Sequence, residues 1–144
     1  MLRLATVEDL SELYVMLHVM HSETVDEVPS IDSEKLTAAI NNAIHKGFVL
    51  IYEVDGKIAG SMAGLDSSDW WSTEKYIADL WFFVYKEHRA SRAAITLVKS
   101  FMKIAKDTNM KVKLGHVYSG DHERKDKFYK RLGLNKVGSL YTED

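Results

Sequence analysis

Four residues suited to holding phosphate, His88, Arg89, Ser91 and Arg92, fall within one short polar stretch. An apolar run, YIADLWFFV at 76–84, precedes them, and an amphipathic run, RAAITLVKSFMKIAKD at 92–107, follows. β-Branched and aromatic residues make the first run a strand. The recurrence of Ala94, Leu97, Val98, Phe101, Ile104 and Ala105 makes the second a helix. A strand that turns directly into a helix aims free backbone N–H groups and the positive end of the helix dipole at one point. That is phosphate-binding geometry, and guanidinium groups beside it strengthen it.

Three more residues could do proton chemistry. Asp79 is the only charged residue in the apolar strand, where an acid is costly unless paired or used. His116 alternates with Val112 and Leu114 in a further strand over 111–118. Tyr129 lies in FYKRLGL at 128–134, on a helix opened by Asp121 or His122 and ended by Gly133; Lys125 adds a cation there. His18 and His21 are three apart on the first helix, which is ligand-like spacing. No third ligand follows with clear spacing, so they read as partly buried helix residues and no metal site is expected.

Charge divides the chain. Residues 1–85 hold 5 Lys/Arg against 14 Asp/Glu, and residues 86–136 hold 14 against 5. Such blocks are often only solvated faces, but they also suit two ligands of opposite charge, the anion on the basic half. The stretch SETVDEVPSIDSE at 22–34 has five acids and no Lys or Arg, so it is either a solvated connection or a negative wall beside a cationic substrate. Trp70 and Trp71 lie in a polar loop, where they either cap the core edge or line a pocket. With no cysteine, disulfides, thiolate metal sites and a Cys nucleophile are excluded. No apolar run reaches the roughly 20 residues of a membrane span, and MLRLATVEDL meets acids too soon for a signal peptide. A cytoplasmic protein of one domain, 1–144, is expected.

The remaining elements position these residues. A short strand at 2–5 leads into a helix from a Thr6–Asp9 capping box to about residue 22. A second helix, capped near Asp32 or Ser33, stops at Gly47. Strands at 48–54 and 57–65 flank Asp55-Gly56, the strongest hairpin signal in the chain. The run at 76–84 is expected to be buried on both faces and central in its sheet. One or two last strands are expected over 134–141. The fold class is α+β: a mixed, mostly antiparallel sheet of six to seven strands with helices on both faces.

The order of elements and two motifs resemble the GNAT superfamily of acyl-CoA N-acyltransferases. Arg89-Ala90-Ser91-Arg92-Ala93-Ala94 matches the acyl-CoA motif Arg/Gln-x-x-Gly-x-Gly/Ala, and Phe128 to Leu134 matches the late F-Y-x-K-L-G-F motif. The first motif also resembles GNAT proteins of bacteriophage origin. Arg92 stands where the family usually has glycine, so it either crowds a pyrophosphate or adds a guanidinium to it.

The resemblance implies an N-acetyltransferase moving an acetyl group from acetyl-CoA to an amine of a cationic acceptor by direct attack in a ternary complex. It implies Tyr129 as proton donor to the leaving sulfur and Asp79 as leading base, with His116 second. Backbone N–H groups among Phe82, Phe83 and Val84, near a bulge, would face the acyl carbonyl. Arg89, Ala90, Ser91, Arg92, Ala93, Ala94 and Lys125 would hold the cofactor, and Glu23, Asp26, Trp70 and Trp71 the acceptor. A small-molecule amine and a protein lysine both suit that wall, and a homodimer is compatible with the family. The alternative is a catalytically inactive GNAT-fold module for acyl-CoA binding or protein interaction. Nucleic-acid binding is less favoured, because aromatics do not interleave with the basic residues.

Overall fold

The computed structural model describes residues 1–25 and 27–143. Strand β1 (Leu2–Leu4) is followed by a 3-10 turn (Val7–Asp9) and helix α1 (Leu10–Ser22). The Asp9 carboxylate accepts the Thr6 N–H at 2.8 Å, which supports the capping expected there. Helix α2 (Ser33–Lys46) is capped by Asp32, whose Oδ1 accepts the Lys35 N–H at 2.9 Å. It ends before Gly47, where only glycine fits: a Cβ there would stand 2.2 Å from the Gly64 carbonyl oxygen.

Strands β2 (Phe48–Val54) and β3 (Lys57–Ser68) form the expected hairpin. Asp55 and Gly56 take φ of 52° and 75°, the left-handed pair a tight hairpin turn requires. Strand β4 (Lys75–Val84) pairs antiparallel with β3 along its length. A 3-10 turn (Lys86–His88) leads to α3 (Ala93–Asp107), then β5 (Lys111–Lys113) and α4 (His122–Arg131).

The sheet order is β1-β2-β3-β4-β5, antiparallel except for the β4–β5 pair. Helices α1 and α2 cover one face over Leu13, Met16, Ile40, Val49, Ile51, Trp81 and Phe83. Helix α3 covers the other over Leu50, Met62, Leu97, Val98 and Phe101, with Phe128 and Leu132 of α4 at its margin. Each fully buried aliphatic or aromatic side chain is worth about 1.5–3 kcal/mol.

Four expectations are corrected. Among the described residues the sheet has five strands, not six to seven. The middle strand is β3, with β4 beside the short edge strand β5. Beyond Leu134 no strand forms among the described residues, because the apolar side chains have nothing to cover: Val137 is 96% exposed and Tyr141 89%. The strand expected over 111–118 ends at Lys113, where the chain turns away from β4. Tyr118, at φ 64°, accepts the Val25 N–H through its carbonyl instead of continuing the ladder.

Candidate active site

The parting of β4 and β5 makes the site. Their ladder joins only Tyr76–Lys111, Ile77–Val112 and Ala78–Lys113. From Asp79 onward β4 has no strand on that side among the described residues, so its edge offers backbone donors and acceptors to a cleft. The loop from Gly115 to Asp121 and helix α4 form the opposite wall.

A bulge decides what faces this cleft. The β3–β4 register shifts between Ala63–Trp81 and Gly64–Asp79, leaving Leu80 as the extra residue, 48% exposed. Asp79 and Trp81 would share a face in a regular strand. Here Trp81 packs with the α1/α2 core, whereas Gly64, the partner of Asp79, faces Phe101 of α3. The bulge thus brings Asp79 round to the side that carries α4 and Tyr129. It lies just before Phe82–Val84, where the backbone donor is expected.

Asp79 and Tyr129 sense each other across the opening. Burial raises the Asp79 carboxyl to about 6, although its Oδ1 accepts the Gly115 N–H at 3.2 Å. Burial, and then the charge of Asp79, push the Tyr129 phenol well above its ordinary range. The first group can exchange a proton near neutrality, and the second keeps its proton there. His116 lies flat against Tyr129, with ring centroids 5.8 Å apart and planes 6° apart. Its Nε2 meets Asp126 Oδ1 at 2.9 Å.

At the far end of β4, the basic turn is tied inward. Arg89 Nε donates to the Val84 carbonyl at 2.9 Å, and Nη2 donates to Glu23 Oε1 at 2.5 Å. Its guanidinium also lies 5.3 Å from the Phe83 ring centroid. Arg92 is the N-cap of α3 at φ −82°, so arginine is unstrained in the glycine position, and no residue of 89–94 has a left-handed φ. The first turn of α3 carries no acid. Ser91 Oγ accepts the Ala93 N–H at 3.2 Å, and N–H groups of that turn, such as that of Ala94, have no intrahelical acceptor. From α4, Lys125 donates to Ser119 Oγ. Burial lowers its ammonium, and Arg89 and Arg124 lower it further. Cations from the turn and from α4 therefore converge with a helix N-terminus, a donor set that fits a diphosphate.

Not every expected residue joins this site. The Phe82 ring stacks on Phe128 at 6.4 Å, so Phe82 and Phe83 can offer the cleft backbone rather than ring faces. Glu23 reaches the site only through Arg89. Asp26 lies outside the described residues. Trp70 and Trp71 are 93% and 68% exposed on the β3–β4 loop, at the start of β4. At about 3.3 Å per residue, the start of β4 lies roughly 30 Å from Val84 and roughly 13 Å from Asp79. The acids beside them bind local lysines, Asp66 to Lys75 and Asp69 to Lys113. Sequence reasoning missed Leu80, His122 and Asp126. The spacing of His122, Asp126 and Tyr129 on one helical face was the available signal for the last two.

The acetyltransferase (GNAT) family model matches residues 10–134. The chain belongs to the GNAT acetyltransferase family. No curated protein matches it by sequence. Among solved structures, a predicted acetyltransferase from Clostridium acetobutylicum, solved with acetyl-CoA, superposes with a TM-score of 0.77 at 19% identity, over 100% of this chain and 95% of that one. A ribosomal-protein-alanine N-acetyltransferase from Brucella melitensis gives 0.75 at 16% identity, over 100% and 99%. An aminoglycoside acetyltransferase from an uncultured soil metagenomic sample, in complex with sisomicin, gives 0.70 at 14%, over 100% and 96%. At these identities the likeness is one of fold. In this GNAT chain the basic turn and the start of α3 hold Arg89–Ala94, which resembles the acyl-CoA motif, and the end of α4 holds the start of Phe128–Leu134, which resembles the late motif.

Proposed function

We propose that this GNAT protein is an N-acetyltransferase that moves an acetyl group from acetyl-CoA to an amine of a cationic acceptor, by direct attack in a ternary complex. Residues 1–144 are read as a single catalytic domain. The observation that carries this reading is the open edge of β4, where the Gly115 N–H reaches Asp79 while its neighbour His116 stacks on Tyr129, with Arg89 tied to the Val84 carbonyl at its end.

Acetyl-CoA, when bound, supplies a thioester carbonyl and a thiolate leaving group. Ser91, Arg92, Ala93, Ala94 and Lys125 would hold its phosphates, and the backbone of Phe82 to Val84 would border the rest. Arg89 joins them on release from Glu23. Asp79 accepts the proton of the acceptor amine, Tyr129 donates its phenol proton on the leaving-group side, and N–H groups along β4 face developing negative charge. For the acceptor, the acidic connection after α1, with Glu23 and Asp26, is favoured over Trp70 and Trp71, which lie at the other end of β4. A polyamine, an aminoglycoside-like amine and a protein lysine share the chemistry such a wall selects. Acetyl-CoA as donor favours the cytoplasm as the place of reaction.

The test is a thermal shift with millimolar acetyl-CoA, followed by thiol release across a panel of amines. A rise in Tm with thiol release supports the enzyme. No shift at millimolar acetyl-CoA overturns it. A shift without turnover on any amine favours the inactive binding module, the reading that the Arg89–Glu23 pair and Arg92 motivate.

A further inference from the structure

Helix α4 carries a socket. His122 and Tyr129 are seven residues apart, so their side chains rise from nearly the same face about 10.5 Å from each other. The ring of His116 fills the gap. It lies 5.4 Å from the His122 ring with planes 25° apart, and 5.8 Å from the Tyr129 ring with planes 6° apart. Asp126 sits between them on the same face and takes the His116 Nε2 edge at 2.9 Å. The other edge, Nδ1, meets His122 Nδ1 at 3.4 Å. Lys136 approaches the second oxygen of Asp126 at 3.4 Å. Both faces and both nitrogens of the imidazole are therefore engaged.

The place of this socket in the fold gives it a role. Past Ala78 no ladder connects β4 to the opposite wall, and α4 has no fully buried residue of its own. Gly115 and His116 cross that gap as neighbours. Gly115 gives its N–H to Asp79, and His116 inserts its ring into α4. One dipeptide thereby sets where the carboxyl on β4 stands relative to the phenol on the helix. Phe128, stacked on Phe82, keeps α4 on the sheet and meets the Tyr129 ring edge-on with centroids 5.5 Å apart, while His116 stacks parallel to that ring and ties it to Asp126.

We propose that His116, held in the His122–Asp126–Tyr129 socket, is a positioning residue that fixes the Tyr129 hydroxyl for proton donation. This rests on the role given to Tyr129 under Proposed function. Misplacing a catalytic group by about 1 Å can cost about a hundredfold in rate.

The experiment compares Asp126→Ala, Asp126→Asn and Tyr129→Phe, alone and combined. Asp126→Ala is expected to lower kcat about ten- to hundredfold, with KM for acetyl-CoA within about threefold of wild type. Asp126→Asn keeps an oxygen acceptor for Nε2–H and is expected to restore kcat to within about threefold. In the Tyr129→Phe background, Asp126→Ala is expected to cost nothing further. A second readout needs no ligand. With carbon-13 in the tyrosine rings, Tyr129 of the wild type is expected to remain a phenol at about pH 10. In Asp126→Ala it is expected to titrate down toward the ordinary tyrosine value of about 10. Unchanged kcat and unchanged Tyr129 titration in Asp126→Ala overturn the proposal. So does a full additional loss in the Tyr129→Phe background, or an Asn variant as impaired as the Ala variant. If Tyr129→Phe loses activity while Asp126→Ala does not, the role of Tyr129 stands and the socket fails. If Tyr129→Phe is fully active, both fail.

Discussion

The two halves of β4 are held by different means. From Lys75 to Ala78 the strand has β3 on one side and β5 on the other. From Asp79 to Val84 it keeps β3 but loses β5, and side chains take over: Gly115 on Asp79, His116 on Asp126, Arg89 on the Val84 carbonyl. Ladder bonds repeat along a strand and survive most substitutions. Side-chain ties are single and specific, and can be lost one at a time. The same strand thus provides a rigid base at one end and an adjustable edge at the other, and the candidate chemistry sits on the adjustable edge.

The sharpest test of that division is Asp79→Asn. The carboxyl must be ionised to accept a proton, so the wild-type kcat/KM is expected to rise with pH through about 6. The variant is expected to lose that limb and about a hundredfold or more in rate, measured by thiol release across pH. Its stability should move the other way. Folding raises this acid from 3.8 to about 6, so the folded state favours the protonated form. The destabilising effect of the charge sets in as pH rises from about 4 and is complete above about 6. Asparagine avoids it, so the variant is expected to exceed wild type by about 1–3 kcal/mol at pH 7.5 and to match it near pH 4, by urea unfolding.

The packing of α2 against the sheet should respond to bulk instead. Gly47→Ala forces a methyl against the Gly64 carbonyl, 2.2 Å from the ideal Cβ position. A loss of about 1–3 kcal/mol in urea unfolding is expected, with KM for acetyl-CoA in the surviving folded protein unchanged. A smaller effect is expected from Glu23→Gln. It weakens the Arg89 pair, which is partly exposed, and frees the guanidinium for phosphate, so the Kd for acetyl-CoA is expected to tighten about two- to fivefold in calorimetry. Smallest of all is Trp70→Ala. The indole is 93% exposed and remote from Val84, so Tm and kcat/KM are both expected to stay near wild type. A large drop in kcat/KM would instead bring the β3–β4 loop into the acceptor site.

The ladder-bound region was also the legible one. Asp55-Gly56 marks its hairpin, and the periodicities of α2 and α3 predict their limits to within about two residues, because repeating contacts leave repeating sequence; α1 begins later than its Thr6 cap, after a 3-10 turn over Val7–Asp9. The open region leaves no such period. Val112, Leu114 and His116 continue to alternate after the backbone has left β4, since alternation records sidedness and not pairing. Val137, Leu140 and Tyr141 look like a strand but have no face to pack on. Asp79 and Tyr129 stand out by chemical type, and the structure brings them together. The partners that hold the opposite wall, His122 and Asp126, are ordinary surface residues until the fold delivers His116 to them. Of the expected acceptor residues, the tryptophans attracted attention by type alone, and they stand largely exposed on the loop before β4.

Leu80 shifts the reading frame of β4 by one residue. Before it, Ile77 and Asp79 belong with the α3 side; after it, Trp81 and Phe83 belong with the α1/α2 side. Deleting Leu80 would make Asp79 and Trp81 neighbours that alternate onto the sides they already occupy, whereas a regular pleat that kept Leu80 in the ladder would turn the carboxylate into the apolar packing beneath α1 and α2. What keeps each half of β4 on its own side is that Leu80 stays out of the β3 ladder, a feature that composition and hydrophobic pattern do not record.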